Sequence, residues 1–297
     1  MTGFLYGALG IAAFALTVFG ATWGIFRLWC RPKRVLSLVS PTDCGLEFEK
    51  VQFPSQGIRL EGWFIPALRS DSRAPVIILV HGWNHHAGRM LDLAKAMHQQ
   101  GFAALLFDAR GHGRSGGDGP GYVLKFAQDI MAAVDYVARR PETDGRRIGV
   151  IGHSMGGSGA ILAAAMDRRI GAVASSSAFS DPADLTRDTL RKMHLPTWPF
   201  LPIMQWIFRR WIRVPMEVIS PRCRIGEIAV PVLLAHSDCD DHVLPANLEI
   251  LCRNANPEKV QRVLLNGCKH SDMLNDRWYS EQVQAFFAGA LKLQTRH

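Results

Sequence analysis

The chain has 297 residues, 48% hydrophobic and 20% charged, a balance that suits one packed α/β domain with an appendage and argues against both a disordered chain and a polytopic membrane protein. The formal charge of +8 gathers in two places: Arg27, Arg31, Lys33 and Arg34, and residues 191–224, where seven Lys/Arg face the single acid Glu217. Both clusters adjoin apolar, Trp-bearing sequence, which points to a membrane surface and away from nucleic acid.

From Gly3 to Phe26 there are 24 residues without a charge. As a helix rising 1.5 Å per residue that run reaches about 36 Å, enough for a hydrocarbon core of about 30 Å. No Lys or Arg precedes it, and Trp23, Phe26 and Trp29 at its exit suit an interfacial aromatic belt better than a signal-peptidase site. Residues 1–34 are therefore expected to form an uncleaved membrane anchor with a basic flank, supplying location and not chemistry. The basic flank lies after the span, which places the following domain, residues 35–297, on the cytoplasmic side.

After a linker from Pro32 to Pro41, segments 46–53 and 59–67 alternate in polarity around Ser55-Gln56-Gly57 and predict an antiparallel hairpin. Three short apolar runs follow, Val76 to Val80, Ala103 to Phe107 and Ile148 to Ile151, each leading into Gly-rich sequence and then a helical pattern. Such repetition predicts a mostly parallel sheet covered on both faces. Helices are expected at 87–100, 122–140, 155–166, 245–255 and 276–293, and further strands at 231–236 and 260–265. Between Asp181 and Val230 the alternation stops and Pro196, Pro199, Pro202, Pro215 and Pro221 interrupt apolar stretches, which predicts an insertion outside the sheet at about 181–230.

Gly152-His153-Ser154-Met155-Gly156 follows a predicted strand and opens an Ala-rich helical run, the context of a nucleophile elbow. A serine on so sharp a turn needs neighbours without bulk two positions before and after it, and the helix start brings a backbone N–H and a favourable dipole to developing negative charge. With this elbow, His81-Gly82-Trp83 after one strand and Asp108-Ala109-Arg110-Gly111-His112-Gly113 after the next, the chain from about residue 46 onward resembles the α/β-hydrolase superfamily, in particular its compact esterases, lipases and serine aminopeptidase relatives.

A serine hydroxyl is a weak nucleophile at neutral pH and needs a general base with an orienting carboxylate behind it. Downstream of the elbow, His236-Ser237-Asp238-Cys239-Asp240-Asp241-His242-Val243-Leu244-Pro245 offers three aspartates, and Asn266-Gly267-Cys268-Lys269-His270 offers a histidine after the last strand. The resemblance implies the chain order serine, acid, histidine. Its usual register before an x-Val-x-Pro segment favours Asp241 over Asp240 and Asp238, with His270 as base. It also implies an oxyanion hole from the backbone N–H groups of Trp83 and Met155. Asp108, ahead of Ser154, is read as a structural turn residue, and His81, His112 and His153 as loop-shaping.

The six cysteines stand singly, with no CxxC pair and no close His/carboxylate set, so neither a metal nor a disulfide framework is expected, and no phosphate loop or dinucleotide fingerprint implies a cofactor. Residues 195–214 place Trp198, Trp206 and Trp211 among aliphatics beside Arg209, Arg210 and Arg213, as in an interfacial helix or an apolar lid packed on its own domain. The expected activity is hydrolysis of an ester or thioester of an apolar acyl substrate, with short-peptide hydrolysis or a silent membrane-tethered binding protein as alternatives. The expected partners are that small acyl substrate and membrane lipid, with no nucleic acid.

Overall fold

A computed structural model describes residues 2–68 and 73–291. At its centre lies the most apolar run of the domain, strand β3 (Ala74–Val80), every residue of which is buried. Alternation along a strand sends Val76, Ile78 and Val80 into one core and Ile77 and Leu79 into another, so both faces must be covered by helices.

Eight strands do this in the order β1-β2-β4-β3-β5-β6-β7-β8. The others are β1 (Glu49–Ser55), β2 (Ile58–Ile65), β4 (Ala103–Phe107), β5 (Thr143–His153), β6 (Ile170–Ser176), β7 (Val232–Ser237) and β8 (Val260–Leu265). The β1–β2 hairpin closes on Gln56 (φ 47°) and Gly57 (φ 80°), the paired positive φ values that match strand twist in a two-residue turn. β2 also runs antiparallel to β4, and the remaining neighbours are parallel.

One face is covered by α3 (Val123–Ala138), α4 (Met155–Met166) and α9 (Ala246–Asn254), the other by α2 (Leu91–Gln99) and α10 (Arg277–Ala290). The expected helices correspond to these five. Strand β6 was not among the expected strands. Its sequence, Ile-Gly-Ala-Val-Ala-Ser-Ser, has few of the β-branched and aromatic residues that mark a strand, and the sheet recruits it through pairing with β5 and β7.

Ahead of the sheet, α1 runs from Thr2 to Trp29. Between β6 and β7 the chain leaves the sheet through α5 (Pro182–Lys192), α6 (Phe200–Ile212), α7 (Met216–Ile219) and α8 (Pro221–Arg224). Prolines in this segment sit at helix starts: Pro182 and Pro221 open α5 and α8, and Pro202 falls in the first turn of α6, where no helical donor is lost. Asp181 caps α5 by accepting the Ala183 amide at 2.8 Å and is held from behind by Ser220 Oγ at 2.6 Å.

Candidate active site

Ser154 stands between β5 and α4 with φ 55° and ψ −117°, a conformation that L residues rarely adopt. It is held there by the backbone: the Ser154 amide donates to Ser176 O at 2.8 Å and its carbonyl accepts the Ser158 amide at 2.9 Å. The flanking glycines are required by close approach. A Cβ on Gly152 would lie 2.3 Å from Gly156 O, and one on Gly156 would lie 2.5 Å from His81 O.

The turn after β3 comes against the elbow, since a Cβ on Gly82 would meet Ser154 Cβ at 3.1 Å. This brings Trp83 beside the serine. Among the described residues, the backbone hydrogen bonds outside the regular elements include none donated by the Trp83 or Met155 amide. The Trp83 ring packs on His112, with centroids 5.0 Å apart, and also lines the cavity in front of Ser154.

His270 follows β8 and is buried. Its Nδ1 lies 2.7 Å from Asp240 Oδ2, which corrects the expected register: the carboxylate on His270 is Asp240 and not Asp241. The reason is local backbone chemistry. Asp240 Oδ1 accepts the amides of His242 (2.9 Å) and Val243 (2.8 Å), turning this side chain inward, and Oδ2 also faces His236 Nε2 at 3.3 Å. Asp241 then points outward, half exposed, and pairs with Nδ1 of its neighbour His242 at 2.9 Å. Asp238 accepts the Gly267 amide at 2.7 Å and ties the two loops together. Burial by itself would raise the Asp240 pKa, yet the hydrogen bonds from His236 and His270 hold it far below the ordinary carboxylate value.

The remaining motif residues shape loops. Asp108 accepts the amides of Ala87 (2.8 Å) and Arg114 (2.9 Å), and Arg110 is buried against Asp129 at 2.7 Å. His81 and His112 are each pushed down to about 3, chiefly by burial. His153 is likewise driven well below its usual value and packs on His270, centroids 4.8 Å apart, with His242 stacked nearby at 5.0 Å. His85 lines the cavity, lowered to about 4 by burial and then by Arg89, while His86 is partly buried. All six cysteines are free thiols, and no metal-ligating cluster occurs among the described residues.

Ser154, His270, Trp83 and Met155 open into one cavity of about 660 Å³. The insertion contributes Leu185, Met204 and Phe208 to it. From the segment expected to be the anchor and its flank, Phe26, Leu28, Trp29, Cys30, Arg31 and Lys33 line it as well. The sequence carries no periodic signal for that contact, because an apolar helix reads the same whether lipid or protein covers it. Among the described residues of the lining, Arg31 and Lys33 are the Arg and Lys side chains, and no Asp or Glu is present.

Residues 71–218 match the family described as serine aminopeptidase, S33. The uncharacterized protein YfhR of Escherichia coli (strain K12) is 27% identical over 254 residues, covering 83% of this chain and 82% of that one. The polyketide transferase af380 of Aspergillus fumigatus is 35% identical over 131 residues, 43% of this chain and 44% of the relative. Among solved structures, the Pyrococcus furiosus esterase Pf2001 superposes with a TM-score of 0.71 at 22% identity, covering 88% of this chain and 98% of that one. Est1E from Butyrivibrio proteoclasticus, solved with ferulic acid bound, gives 0.63 at 22% identity over 81% and 99% of the two chains.

Proposed function

From the α/β-hydrolase fold of the chain and its match to the serine aminopeptidase, S33 family over residues 71–218, we propose that it is a serine hydrolase cleaving carboxylic ester or thioester bonds of an apolar acyl substrate. The observation that carries this reading is His270, buried and 2.7 Å from Asp240, lining the same cavity as Ser154 on its strained turn.

In this reading Ser154 Oγ attacks the carbonyl carbon while His270 Nε2 takes its proton, and Asp240 on Nδ1 fixes the tautomer and stabilises the imidazolium. The amides of Trp83 and Met155 donate to the oxyanion. Collapse breaks the C–O or C–S bond, the leaving group takes the proton from His270, and water attacks the acyl-serine with His270 again as base. The lining favours an ester over an aminopeptidase substrate. A peptide's terminal ammonium would find no carboxylate there, whereas an acyl chain meets Leu185, Met204 and Phe208.

The same reading takes α1 as a membrane anchor. The most apolar 18-residue window within Leu5–Trp29 has a mean hydropathy of 1.8, and 11% of it is buried in the protein. The basic residues Arg27, Arg31, Lys33 and Arg34 after it favour the cytoplasmic side for the domain.

The test is covalent. A fluorophosphonate should label the wild-type protein and leave Ser154→Ala unlabelled, with ester turnover reduced by on the order of 10³-fold or more and the melting transition retained. Labelling of the Ser154→Ala protein would reject the assignment. A panel of acyl esters, acyl thioesters and aminoacyl amides separates the substrate classes.

A further inference from the structure

The two ends of α1 have different surroundings. Leu5, Leu9, Ile11, Phe14 and Leu16 stand exposed, whereas Val18, Thr22, Phe26 and Trp29 recur at the spacing of one helix face and turn toward the insertion. Thr22 is 0% and Phe26 4% exposed. Phe26 packs with Leu190, Met204 and Ile207, and its ring meets Trp211 (5.8 Å) and Phe208 (6.1 Å) of α6.

The flank that follows is bonded to loops that build the site. Cys30 O accepts the Gly121 amide at 2.6 Å, the Lys33 amide donates to Asn84 Oδ1 at 2.7 Å, and Arg34 Nη1 donates to Ser115 O at 2.6 Å. Asn84 is the neighbour of Trp83, so the segment after α1 is registered against the strand end that supplies a proposed oxyanion donor.

Resting on the serine-hydrolase reading, we propose that the last turns of α1 form one wall of the acyl site, and that the substrate is a long-chain acyl ester resident in the bilayer. The apolar run Phe26, Leu28 and Trp29 belongs at once to the helix that enters the membrane and to the cavity that holds Ser154. With Met204 and Phe208 of α6 it makes a continuous apolar path from lipid to the nucleophile, so the acyl chain reaches the serine without crossing water. Arg31 and Lys33, lining the same cavity beyond the apolar run, meet the polar part of the ester.

The experiment uses the full chain in phosphatidylcholine vesicles and a fluorophosphonate bearing a long alkyl chain with a terminal diazirine. Ser154 Oγ attacks phosphorus, the P–F bond breaks, fluoride leaves and the hydroxyl proton passes to His270. Irradiation then releases dinitrogen, and the carbene inserts into the nearest C–H bond. Peptide mapping should find the Ser154 adduct cross-linked within residues 18–33 and α6. An adduct at Ser154 cross-linked solely within the core, to α3 or α9, would overturn the proposal and leave the hydrolase reading intact. No adduct would overturn both. As a second measurement, Phe26→Ala in vesicles should raise KM for a long-chain ester about tenfold while kcat changes less than about twofold; an unchanged KM speaks against the wall.

Discussion

Asp240 faces His270 across 2.7 Å, while Asp241, the next residue, looks away and pairs with His242. If the inward carboxylate orients the base, Asp240→Asn should lower kcat/KM on a small ester by about 10⁴-fold, because the wrong imidazole tautomer then faces the serine. Asp241→Asn removes an exposed pair and should cost less than about threefold. Parallel ester kinetics on the two variants decide the matter, and the reverse ranking would restore Asp241.

That reversal shows where the sequence was legible and where it was not. The elbow could be read because its glycines answer a local steric demand, and the central strands because burial on both faces needs continuous apolar runs. Choosing among Asp238, Asp240 and Asp241 depends on which carboxylate captures the amides of His242 and Val243, and no residue pattern records that. Strand β6 is assembled by its neighbours and not by its own propensity. The meeting of α1 with α6 joins segments about 180 residues apart through faces whose apolar residues suit lipid equally well.

Gly156→Ala should be severe. The new methyl would sit 2.5 Å from His81 O and 2.6 Å from Val80 O, both backbone atoms of a buried turn, so the elbow or β3 must move. A loss of about 3 kcal/mol is expected, with activity falling further because Ser154 shifts. Gly289→Ala in α10 meets nothing within 4 Å and should be neutral or stabilising by up to about 1 kcal/mol. Urea midpoints of the two variants give the comparison, and similar values would show that the elbow relaxes freely.

Acid should weaken the fold well before its carboxylates titrate. His81 and His112 are held neutral, each pushed down to about 3 by burial, and His153 is shifted the same way. With folded values depressed below the unfolded 6.5, the unfolded chain binds more protons, so stability is full above about 6.5 and falls as pH drops. His81 and His112 each contribute up to about 2 kcal/mol between pH 7 and pH 5, and His153 acts in the same direction. Unfolding free energies at these two pH values should differ by several kcal/mol, and His112→Gln should flatten the difference. The Asp240 shift acts lower: its depressed value adds stability above about 3.8 that is lost as pH falls further. A stability independent of pH between 7 and 5 would refute the buried neutral histidines.

The depth of the insertion in the membrane follows from one aromatic contact. Phe19 of α1 meets Trp206 of α6 with centroids 6.1 Å apart, so α6 touches the helix at that level. From Thr2 to Phe19 the helix rises about 26 Å at 1.5 Å per residue, slightly less than a hydrocarbon core of about 30 Å. If α1 spans, the outer face of the insertion lies in the interface, where Trp198 (79% exposed) and Trp206 (59% exposed) project beside the exposed Arg209 and Arg210. In proteoliposomes made with lipids brominated near the headgroup, tryptophan fluorescence should be strongly quenched, and Trp198→Phe with Trp206→Phe should remove much of that quenching. Anionic lipid should deepen it at low salt, each arginine adding on the order of 1 kcal/mol within a Debye length of about 8 Å. Quenching left intact in the double variant would place these two residues in water and confine membrane contact to α1.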